Sequence, residues 1–143
     1  MKKLFFGFAA LLLLAAWTTD KNQTKDVVRT FNVMLSGDQE VMKCDPDGSG
    51  TAMLTFNKQE GTLTYQLMVV GVDNVTAAHL HEAPAGTAGP IIVGLKAPVN
   101  GMSSGVVKLS KDQIKEILKN PEDYYVNVHS ALCPAGAVRG QLE

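Results

Sequence analysis

Three histidines are all the imidazole this chain holds, and two of them, His79 and His81, stand one residue apart. In an extended segment, side chains two apart project from the same face, roughly 6.6–6.8 Å apart along the strand. That spacing lets two rings lean toward one ion or one substrate. The third, His129, ends the run Tyr125-Val126-Asn127-Val128-His129. Alternation assigns Val126 and Val128 to one face and Tyr125, Asn127 and His129 to the other. Valines belong to a core, so the opposite face carries a phenol, an amide and an imidazole in a row. If the two strands are neighbours, His79, His81 and His129 form one cluster with Tyr125 within reach.

Three neutral imidazoles with an open position suit a borderline transition metal (copper, zinc or iron) and not calcium or magnesium. A coordinating Tyr125 phenolate would favour ferric iron. The competing reading makes the histidines structural: two on an edge strand, one bonded to backbone in a loop. Arg139, between Val138 and Gly140, either pairs with a carboxylate or sets a guiding charge for anions beside the cluster. Asn127 stands with it as a group supporting the ligands from behind. Glu82 follows His81, but alternation turns it to the other face.

Other chemistries lack their residues. No G-x-S-x-G, P-loop or G-x-G-x-x-G occurs. Asp45, Asp47 and Ser49 alternate as oxygen ligands would, yet Pro46 intrudes and no acid follows until Glu60. The bidentate Glu of a calcium loop is therefore missing, and a solvated turn is expected. Net charge is −1, with no basic cluster after residue 3, so a nucleic-acid surface has nothing to rest on.

The elements that must position the histidines follow from period-two patterns. Phe31, Val33 and Leu35 alternate with Thr30, Asn32 and Met34. Thr51–Asn57 and Thr62–Val70 read as a hairpin joined by four residues ending in Gly61. Strands are also expected at the histidine segment, Pro90–Leu95, Gly105–Leu109, Tyr124–Ser130 and Ala137–Leu142. Ser110 with Gln113 makes a capping box, and Ile114, Ile117 and Leu118 recur at helical spacing, so a short helix spans about 110–120. The expected fold is all-β: an antiparallel Greek-key sandwich or barrel of about eight strands with one short helix.

Lys2-Lys3 and the apolar run Leu4–Ala16 form a positive region and a core of about 13 residues, too short to span a bilayer and suited to a secretory leader. Residues 1–17 are read as a signal peptide, 18–29 as a polar tether and 30–143 as the domain. Trp17 stands where a lipoprotein signal would carry its Cys, so the product is expected to be periplasmic or secreted. A membrane is met only through the leader, before cleavage. In an oxidising compartment, the two cysteines, Cys44 and Cys133, pair by default.

Several pieces in order, L-S-G-D-Q-E-V (35–41), G-T-A-M-L (50–54), A-A-H-L-H-E-A-P-A-G-T-A-G-P-I-I-V-G-L (77–95), Y-V-N-V-H-S (125–130) and P-A-G-A-V-R-G-Q-L (134–142), resemble the CHRD domain, named from chordin and abundant in bacterial exported proteins. Met42 replaces the proline usual after E-V, and Ala137 an acidic residue. The resemblance implies a β-sandwich or barrel but no settled activity. In the animal protein the domain accompanies growth-factor-binding modules, which leaves a protein partner or a second copy open. A weaker likeness, to copper/zinc superoxide dismutase, rests on His79, His81, His129 and Arg139. Three histidines cannot supply that enzyme's dinuclear site, so it implies one metal at most.

Overall fold

Alternating apolar residues bury one face of each strand, and a sheet of such strands lowers its free energy by curling around that face. In a computed structural model describing residues 28–45 and 47–143, eight strands and one α-helix do this. In chain order they are β1 (Val28–Ser36), β2 (Ser49–Asn57), β3 (Thr62–Val70), β4 (Val75–Glu82), β5 (Ile91–Leu95), β6 (Met102–Lys108), α1 (Lys111–Lys119), β7 (Tyr124–Ser130) and β8 (Val138–Gln141). The expected leader lies outside the described residues, as does the tether up to residue 27. β1 begins at Val28, two residues inside the segment assigned to the tether.

One antiparallel sheet runs β5-β4-β7-β8-β1-β2-β3-β6 and nearly closes into a barrel. The edges β5 and β6 border the seam. There the Lys96 N–H, just beyond β5, donates to the hydroxyl of Tyr65 on β3 at 2.9 Å. β7 returns past β5 and β6 to pair with β4, so the order around the curl is β7-β4-β5-β6, a Greek key.

The interior holds Phe31, Val33 and Leu35 from β1, Leu54 and Phe56 from β2, Leu63, Tyr65 and Leu67 from β3, Leu80 from β4, and Val126 and Val128 from β7. Helix α1 adds Ile114 and Ile117 to the same core. Its N-terminus is held as the capping box requires: Ser110 Oγ accepts from the Gln113 N–H, and Gln113 Oε1 accepts from the Ser110 N–H. The β2–β3 turn closes at Gly61, whose φ of 65° lies in the left-handed region that glycine tolerates. β6 starts at Met102, three residues before the alternation at Gly105 suggests, because β3 supplies a partner for each added residue through Met68↔Met102. The described residues contain no helix long and apolar enough to cross a membrane.

Cys44 and Cys133 are bonded, with Cα atoms 5.8 Å apart. The bridge ties the β1–β2 connection to the turn between β7 and β8, closing a loop 89 residues long. In the chain-entropy picture a loop of this length stabilises by on the order of 4 kcal/mol, mostly by restricting the unfolded chain. The Cys44→Ser/Cys133→Ser double variant should lose about that amount in urea unfolding. A loss below about 1 kcal/mol would show that the two loops are held together by other contacts.

Candidate metal centre

β4 lies between β5 and β7, so its histidines do not stand on an edge strand. Ala78 and Leu80 point into the barrel, leaving His79 and His81 on the outer face. The register with β7 sets His81 opposite Tyr125, His79 opposite Asn127 and Ala77 opposite His129. A bulge between Leu80 and His81 in the β4–β5 pairing lets His81 turn from the regular pleat. Asn127 pairs in turn with Arg139 on β8, and Tyr125 with Gln141. His79, His81, His129, Tyr125, Asn127 and Arg139 therefore meet on one patch of the outer face.

The patch is roofed. His81, Tyr125, Asn127 and Arg139 are all buried, Arg139 to 2% exposure although it points away from the core. The roof is the β4–β5 loop, and Arg139 clamps it. Arg139 Nη1 donates to the Thr87 carbonyl at 2.7 Å, and Nη2 to the Pro84 carbonyl at 2.9 Å and Gln141 Oε1 at 3.0 Å. Gln141 Nε2 donates to the Ala83 carbonyl at 2.8 Å. The Arg139 guanidinium lies 3.5 Å over the Tyr125 ring, and His81 stacks on that ring at 4.9 Å, 11° from parallel. The phenol is thus flanked by a cation and an imidazole.

Gly89, in the roof, fixes two of these rings at once. Its N–H donates to the Tyr125 hydroxyl at 3.1 Å, and its carbonyl accepts from His81 Nδ1 at 2.9 Å. A Cβ here would overlap the Glu82 carbonyl, so only glycine fits. Since a carbonyl can only accept, His81 carries its proton on Nδ1 and presents a lone pair on Nε2. His129 does the same: Nδ1–H donates to the Pro134 carbonyl at 3.0 Å, freeing Nε2. His79 Nδ1 faces that Nε2 at 3.0 Å.

One ligand atom from each of the three rings lies within 4.8 Å of the others. Tetrahedral coordination at 2.0–2.1 Å needs nitrogens about 3.3 Å apart, so ring rotations of roughly 1–1.5 Å would complete it. Burial pushes the His79 ring below its ordinary pKa, and the charges His129 and His81 can carry add to that shift. Burial also lowers His81, with His129 and Arg139 assisting, although its bond to Gly89 opposes the shift. Both effects favour the neutral, metal-ligating form.

His81 Nε2 is buried and has no hydrogen-bond partner. Such an orphaned acceptor costs about 1–3 kcal/mol, a penalty that a ligated cation would remove. The donor set therefore fits a metal, with two rings oriented through N–H bonds to backbone carbonyls as ligating histidines usually are.

Tyr125 is packed beside the cluster with its hydroxyl bonded to Gly89. Glu82 is exposed, on the other side of its strand. Asp45 forms a turn, its Oδ1 accepting from the Gly48 N–H at 3.1 Å. A cavity of about 420 Å³ beside α1 is lined by Glu82, Asp112, Glu116 and Asp123, among others, and by none of the histidines.

The family model for the CHRD domain matches residues 31–142. The chain belongs to the CHRD domain family. No curated protein and no solved structure matches it. Within this CHRD domain the matched span contains all three histidines, Arg139 and both cysteines, and the disulfide fits an extracellular protein.

Glu40 is a group that the sequence patterns do not single out. It is buried beside Arg139 and Asn127 in a pocket of about 170 Å³, against a Gly136 whose missing Cβ leaves room for the carboxylate. Burial pushes its pKa from 4.5 up to about 7, outweighing Arg139 and an Asn127 hydrogen bond, which both lower it. Glu40 Oε1 and Asn127 Oδ1 are each buried acceptors without a donor, a need that a proton on the carboxyl would meet.

Because the folded pKa exceeds the unfolded one, the folded state keeps its proton where the unfolded chain has lost it. Stability from this group is complete below pH 4.5 and is lost as pH rises through about 7. Glu40→Gln should melt with the parent near pH 4.5 and above it at pH 8. The difference between the two proteins isolates Glu40 from His79 and His81, whose lowered pKa values act in the opposite direction. Equal melting temperatures at pH 8 would show that the carboxylate is not destabilising.

Proposed function

We propose that this exported CHRD domain binds one transition metal through His79, His81 and His129, and that the bound ion is its functional group. The observation that carries the reading is the buried, unpartnered Nε2 of His81, held in place by Nδ1–H to Gly89 and aimed at two further imidazoles. Copper(II) and zinc suit three neutral imidazoles with an open position. Ferric iron would suit a phenolate, and Tyr125 instead accepts a backbone hydrogen bond. When bound, the ion would supply a Lewis-acidic or redox-active centre. The chain's own residues orient the rings through Gly89 and Pro134 and exclude water with the 83–90 roof. Secretion through a cleaved leader, to the periplasm or beyond, belongs to this reading and is supported by the disulfide.

A second reading has one observation behind it. The His79–His129 contact at 3.0 Å satisfies both of those rings without a metal, as a binding module with structural histidines would require. It leaves His81 without a partner.

Protein purified without a histidine tag should take up one equivalent of copper or zinc near neutral pH, measured by elemental analysis. His79→Ala, His81→Ala and His129→Ala should each lower metal content and abolish the metal-dependent rise in melting temperature. Gly89→Ala should weaken binding about 10–100-fold, because it displaces the carbonyl that orients His81. Tyr125→Phe should leave the metal spectrum unchanged; loss of a visible charge-transfer band would mark Tyr125 as an iron ligand. If copper, zinc and iron are all refused, the histidines are structural and the domain docks a protein partner or a second copy of itself.

A further inference from the structure

The outer face carries a second set of metal-competent side chains, far along the sheet from the histidines. Met34 on β1, Met53 on β2, Met68 on β3 and Met102 on β6 all point outward, 70%, 38%, 54% and 60% exposed. Register places them together. Met34 lies opposite Thr51, Thr51 opposite Met68, and Met68 opposite Met102. Met53 lies between Asn32 and Gln66, so it is the diagonal neighbour of both Met34 and Met68. Diagonal neighbours on one face are about 7–8 Å apart, a gap that two flexible thioether arms can close. The same three methionines line one depression of about 260 Å³, with Asn32, Thr51 and Gln66 around them.

Packing does not account for this set. The core uses the opposite face of every strand concerned, and solvent-facing sheet positions are ordinarily polar or β-branched. A thioether is a soft, uncharged donor that selects copper(I) and leaves zinc and calcium to nitrogen and oxygen. We propose that Met34, Met53 and Met68 form a thioether site for a soft monovalent cation, copper(I), with Met102 beside Met68 as a fourth donor. The site owes nothing to the histidines and stands whether or not they bind a metal. Having no proton to lose, a thioether keeps its affinity as pH falls.

Silver(I) is the probe, since it mimics copper(I) without a reductant that would attack the Cys44–Cys133 bond. It is titrated in chloride-free buffer at pH 5 into protein carrying 13C in its methionine methyl groups. The Met34, Met53 and Met68 resonances should shift and saturate together at one equivalent. The Met34→Leu/Met53→Leu/Met68→Leu variant should bind at least tenfold more weakly, while the His79→Ala/His81→Ala/His129→Ala variant should bind as the parent does. Leucine keeps the apolar character of the surface, and all three positions are exposed, so the variant should melt with the parent; Met53→Leu alone serves if it does not. Methionine resonances that stay still at one equivalent, or an unchanged affinity in the leucine variant, overturn the site. Either result would mark the methionines as a surface for apolar contact only.

Discussion

A guanidinium buried on the outside of a barrel is the constraint from which the rest of the site follows. Arg139 sits on β8 facing away from the core, where a charge is ordinarily hydrated. Removing it from water is tolerable only if its donors find acceptors, and those acceptors are the Thr87 and Pro84 carbonyls and Gln141. The 83–90 segment must therefore lie flat across β7. Once it does, Gly89 is close enough to bond both His81 and Tyr125, and the rings acquire fixed orientations. Arg139 touches none of the nitrogens that would meet a metal; it acts on His81 through the loop and, as a nearby charge, helps keep the ring neutral.

The roof also explains why two ionisable environments lie so close together. The strand β7 is buried on both faces, the inner by Val126 and Val128, the outer by loops over Tyr125 and Asn127. Water excluded from the outer face raises the cost of any charge there. The His79 and His81 rings shift toward their neutral forms, which suits ligation, and Glu40 holds its proton up to about pH 7. Arg139 remains charged because its hydrogen-bonded neighbours and the Tyr125 ring replace the lost hydration.

Much of this was legible in the sequence because it depends on alternation. The H-x-H spacing, the polar face Tyr125-Asn127-His129 and the capping box at Ser110 each follow from period two or 3.6, and the eight strands and one helix follow with them. The groups that complete the site are mostly backbone: the carbonyls of Gly89 and Pro134 have no side-chain signature. Gly89 itself reads only as a turn former, although its real constraint is the nearby Glu82 carbonyl. Glu40 lies in a stretch without periodicity, and its burial depends on a partner strand a hundred residues away in the chain. The outward burial of Arg139 was hidden for the same reason, since alternation tells which face a residue takes and not what covers that face.

The two halves of the outer face divide the chemistry available to this fold. Over β4, β7 and β8 the loops exclude solvent, and hard or borderline nitrogen donors are held in fixed tautomers by hydrogen bonds. Over β1, β2, β3 and β6 no loop of the described residues covers the methionines, and flexible thioethers are exposed. A rigid, roofed set of imidazoles discriminates by geometry, whereas an open set of thioethers discriminates by softness and can adapt its shape. Both sets hang from one sheet packed over a largely apolar core, so a change in either leaves the other in register. The Cys44–Cys133 bond reinforces only the roofed half, joining the Glu40 segment to the turn that carries Pro134. That is the half whose function would require fixed positions.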